Sequence, residues 1–60
     1  MQFIMIPSGF SGVILTDDYT DSEIAHNVHI AHFRRDMDAF GLKYPCEVFD
    51  SNMHHICTLK

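Results

Sequence analysis

"TDSEIAHNVHIAHFRRDMDAFG", residues 20–41, carries the strongest local signals in this 60-residue chain. It opens on Thr20-Asp21-Ser22-Glu23, the pattern of a capping box. There the threonine hydroxyl accepts from the third amide of a helix and the glutamate reaches back to the amide of the cap. Asp21 and Glu23 stand where a helix dipole favours negative charge. Apolar residues then recur at helical spacing from Ile24 to Phe40, and Gly41 sits where a left-handed residue commonly ends a helix. The segment predicts one helix.

Its flanks read as strands. On the N-terminal side, "QFIMI" (2–6) is a continuous apolar run of the kind found in strands buried on both faces. "PSGFSG" (7–12) gathers turn residues, and "VILT" (13–16) is a second, largely β-branched run, so the pair predicts a hairpin. On the C-terminal side, a short extended "LKYP" leads to "CEVF" (46–49) and "MHHICTL" (53–59), two strands around "DSN". These flanks are too short and too β-branched for a bundle of helices. The expected fold is α+β: a small antiparallel four-stranded sheet with one helix across it, in the order β-β-α-β-β, forming one domain over residues 1–60.

Placed at about 100° per residue, the helix shows two apolar sectors where a helix on a single sheet needs one. The larger residues, Ile30, Phe33, Met37 and Phe40 with His26 beside them, are the better candidates for the core. The smaller ones lie opposite, and Ile24, Val28 and Ala31, bordered by Arg35, form a candidate surface for a homodimer or a protein partner. Loops 7–12 and 41–45 folding over this sector are the alternative.

Three histidines at a spacing of three, His26, His29 and His32, invite a metal reading. His29, His32 and Asp36 share one helical edge, and a fourth zinc ligand would have to come from Cys46, His54, His55 or Cys57. No pair of closely spaced cysteines supports this, so the expectation is that no metal or other cofactor is bound, with those three side chains as the alternative site. Otherwise His32 and Asp36 form a simple i,i+4 pair on a half-exposed edge. Histidines near neutrality also allow a pH response.

Eight acids against four bases give a formal charge of −4. Arg34, Arg35, Lys43 and Lys60 are too few and scattered for direct nucleic-acid binding. The densest charge lies in "DDYTDSE" (17–23), four acids in seven residues, where Asp17, Asp18, Tyr19, Asp21 and Glu23 are candidates for docking on a basic partner. Two cysteines are fewer than a disulfide-built secreted domain of this size carries. Nothing here resembles a signal peptide or a membrane span. The expected setting is therefore the cytoplasm, that of a host cell if the chain is phage-encoded. No nucleophile elbow, phosphate-cradling loop or paired-carboxylate motif is present, and catalysis is not expected.

Together these features predict a small acidic protein–protein interaction module, a binder or inhibitor of a host or cellular macromolecule, in the style of phage and mobile-element modulators. A histidine-based zinc module, or a small non-catalytic subunit of a larger enzyme, are the alternatives.

Overall fold

The computed structural model describes every residue from Met1 to Lys60. Its elements are β1 (Phe3–Ser8), β2 (Ile14–Leu15), α1 (Asp21–Ala25), α2 (Val28–Ala39), β3 (Lys43–Asp50) and β4 (His55–Leu59). All strand pairs are antiparallel, and the order across the sheet is β2-β1-β3-β4. This is the expected β-β-α-β-β arrangement, with the helical layer on one face.

Alternation along the strands decides what that face buries. Phe3 and Met5 of β1, Cys46 and Val48 of β3 and Leu59 of β4 are buried together with Phe33 and Met37 of α2 and with Tyr19. Ile14, Ile24, Ile30 and Leu42 pack around this cluster. Both ends of the helical stretch form as the sequence indicates. Glu23 N–H donates to Thr20 Oγ1 at 3.2 Å, and Thr20 N–H donates to Glu23 Oε1 at 2.9 Å. At the other end Gly41 adopts φ 63°, Leu42 N–H donates to Met37 O at 2.9 Å and Gly41 N–H to Asp38 O at 3.3 Å. These two bonds are the Schellman pattern, which satisfies carbonyls the helix would otherwise leave open.

The middle of the stretch differs from expectation. Asn27 has φ 58° and ψ 26°, a left-handed conformation that divides the helix into α1 and α2. Asparagine accepts this geometry more readily than most side chains. The division takes His26 off the packed face, and the packed histidine is His29, expected on the half-exposed edge. His26 ends α1 in solvent, its Nδ1 donating to Ser22 O at 2.8 Å, whereas His29 is buried against the sheet. The core-facing line of α2 is His29, Phe33 and Met37, spaced i, i+4 and i+8. Phe40, expected in the core sector, caps the helix where it leaves the sheet and is 76% exposed.

The loops follow from short-range hydrogen bonds. Asp50 Oδ1 accepts from the Asn52 and His54 amides, both at 2.9 Å, and folds the β3–β4 turn with Met53 at φ 65°. β4 therefore starts at His55, two residues later than the apolar run. β2 is confined to two residues, Ile14 and Leu15, both of which line the candidate site.

Candidate functional site

A cleft of about 220 Å³ lies between β2 (Leu15 among its lining), the segment that follows it from Thr16, and the end of α2. Its floor is apolar, built from the buried Met5 and Tyr19 and the half-buried Ile14 and Leu42. Its rim is formed by Asp17 from the segment after β2, and by Asp36 and Phe40 from the helix end.

The segment carrying Asp17 and Tyr19 is tied to the start of β1 from both sides. Thr16 N–H donates to Phe3 O at 3.0 Å, and Phe3 N–H returns a bond to Thr16 Oγ1 at 2.9 Å. Tyr19 N–H donates to Met1 O at 2.8 Å, while the terminal ammonium donates to Tyr19 O at 2.6 Å and to the Asp18 carboxylate. Tyr19 then lays its ring in an aromatic cluster with Phe3, His29 and Phe33, and its hydroxyl lies 3.3 Å from His32 Nδ1. Burial pushes the Tyr19 phenol above its ordinary 10.0, and the nearby Asp17 and Asp36 carboxylates push it the same way.

The docking acids suggested by sequence thus separate into two groups. Asp18 binds the chain's own terminus, Glu23 is engaged in the capping box and Asp21 begins α1 in solvent. Asp17 and Tyr19 reach the cleft, where Asp17 has no ion-pair partner. Asp36, considered above as a metal ligand or as the i,i+4 partner of His32, supplies the second rim carboxylate, 3.5 Å from the exposed Arg35. Phe40, Met5, Ile14 and Leu42 were not singled out for the site. Their only sequence signal is the apolar character that also marks core residues.

The candidate interface on the helix is only partly at the surface. Ile24 packs against the core and Val28 is half-buried, while Ala31 and Arg35 are exposed. The metal candidates point to different neighbours: His29 to Phe3, His32 to Tyr19 and Asp36 to Arg35. Nowhere do three histidine, cysteine, aspartate or glutamate side chains converge into a metal-binding group.

A second polar cluster occupies the opposite face of the sheet. Thr58 donates to Glu47 Oε1 at 2.5 Å, and His55 Nε2 lies 3.0 Å from Glu47 Oε2 and 3.2 Å from Thr58 Oγ1. Both partners meet the same ring nitrogen, so Glu47 does not orient His55 through Nδ1 as a nucleophile relay requires. Neither cleft of the molecule includes these residues. Cys46 and Cys57 are free thiols whose burial pushes both above the ordinary thiol value, which favours the protonated form.

No helix is long and apolar enough to cross a membrane. Comparison of the chain with known protein families, curated proteins and solved structures returns no match.

Proposed function

We propose that this protein is a binding module that seats a basic side chain of a macromolecular partner in the cleft between β2 and α2. Occupying a basic, apolar surface on that partner is how it would inhibit or modulate it, in the manner of small phage-type effectors.

The observation that carries this proposal is the pairing of an apolar floor with an acidic rim. Lysine and arginine bury an aliphatic stem while keeping a charged head at the surface. Met5, Ile14 and Leu42 suit the stem; Asp17, unpaired, and Asp36 suit the head. Phe40, a large apolar side chain 76% exposed at the lip, adds contact area of the kind that dominates protein interfaces. A chain of formal charge −4 also attracts basic partners at long range.

The test compares capture of proteins from a host-cell lysate by the wild-type chain, by Asp17→Lys and by Phe40→Glu, with circular dichroism confirming that each is folded. A partner held by the wild type and lost by both variants supports the proposal. A partner held equally by all three contradicts it.

A further inference from the structure

β1 is apolar on both faces, yet the fold covers only one. Phe3 and Met5 lie under the helical layer, whereas Ile4 and Ile6 alternate onto the open side of the sheet. An antiparallel strand with one face in water ordinarily places polar residues there. Cross-strand register sets Ile4 between Leu15 of β2 and Phe49 of β3, giving an apolar row three strands wide in which Leu15 is 66% exposed.

We infer that this open face is the interface of a two-fold homodimer, in which two sheets pack face to face. Charge favours a second copy as the occupant. The surplus acids, Asp17, Asp18, Asp21, Asp36 and Asp38, lie on the helical layer and the segment leading into it. On the open face the Glu47 carboxylate is already bonded to Thr58 and faces His55 within its own chain. Two copies of net charge −4 therefore meet with least repulsion here, and a basic partner finds little unpaired charge to engage. A two-fold axis through β1 lays the Leu15–Ile4–Phe49 row of one copy across that of the other, an isologous contact.

The inference does not need the cleft to be a binding site, although Leu15 also lines the cleft, and it is tested by sedimentation equilibrium of the full chain from low to high micromolar concentration. The expected result is twice the 6.9 kDa chain mass for the wild type and for Ala31→Glu on the helix, and the monomer mass for Leu15→Glu and Ile4→Glu with native circular dichroism. Leu15 is exposed enough to be replaced without loss of the fold should Ile4→Glu fail to fold, and Asp17→Lys, on the cleft but not on the open face, should leave the dimer intact, its dissociation overturning the inference. A wild type that stays monomeric, or a dimer that survives Leu15→Glu, overturns the inference. So does a dimer that dissociates only on Ala31→Glu.

Discussion

The imidazole of His29 stacks on the ring of Phe3, with centroids 5.2 Å apart and planes inclined by 20°, and its Nδ1 has no hydrogen-bond partner. Tyr19 and Phe33 close the remaining sides of the ring. A histidine in such surroundings is held neutral, since a buried charge without a counter-ion is costly.

Stability therefore depends on pH through His29. Burial lowers its pKa below the ordinary 6.5. As pH falls through that value the unfolded chain takes up a proton that the folded chain refuses, so stability is lost on acidification. Thermal melts from neutral pH down to about pH 5 should show a falling midpoint, and His29→Phe should flatten the slope. An unchanged slope in that variant would place the sensitivity in another group.

Phe33 and Phe40 lie seven residues apart on the helix but in opposite environments, one fully buried and the other 76% exposed. Phe33→Ala should cost about 3–5 kcal/mol. That equals the whole stability expected of a chain this size, roughly 3–5 kcal/mol, so the variant should be unfolded. Phe40→Ala should stay within about 0.5 kcal/mol of wild type in a urea titration. Similar losses for the two would place Phe40 in the core.

Asn27 provides a test of the broken helix. With φ at 58°, Asn27→Gly should be near neutral, while Asn27→Ala should cost about 1 kcal/mol for a side chain forced into the left-handed region. A continuous helix predicts the reverse order, with alanine the more stable by about 1 kcal/mol. Chemical denaturation of the two variants separates these outcomes.

The thiols should differ in access. Cys46 is fully buried and Cys57 only partly so, and both are held above the ordinary thiol value. Iodoacetamide followed by mass spectrometry should label Cys57 first and Cys46 only when the fold opens.

The parts of the fold that were legible in the sequence are those set by neighbours in the chain. Thr20 with Glu23, and Gly41 after the last apolar repeat, mark helix ends because capping is a matter of three or four residues. The apolar run of β1 marked a strand, but not one buried on both faces: Phe3 and Met5 are buried, whereas Ile4 and Ile6 are only half-buried. Asn27 was not legible as a break, since asparagine is tolerated within helices and only the docking of α1 and α2 on the sheet selects its left-handed form. The break carries His26 off the core face, while His29 was legible after all, since it precedes Phe33 and Met37 at i, i+4 and i+8. The cleft was hidden for a different reason. Met5, Asp17 and Asp36 come from β1, the segment after β2 and α2 and meet only in the folded cleft, and no spacing along the chain encodes that.

The most direct measurement is a titration of the ¹⁵N-labelled protein with a short peptide of alternating lysine and leucine, followed by amide chemical shifts. The cleft should respond, with shifts at Thr16, Asp17, Tyr19, Asp36 and Phe40 that weaken with added salt and in Asp17→Asn, as expected for partly exposed charges. Absence of shifts, or shifts confined to the open face of the sheet and indifferent to Asp17→Asn, would contradict the assignment of this cleft as the binding site.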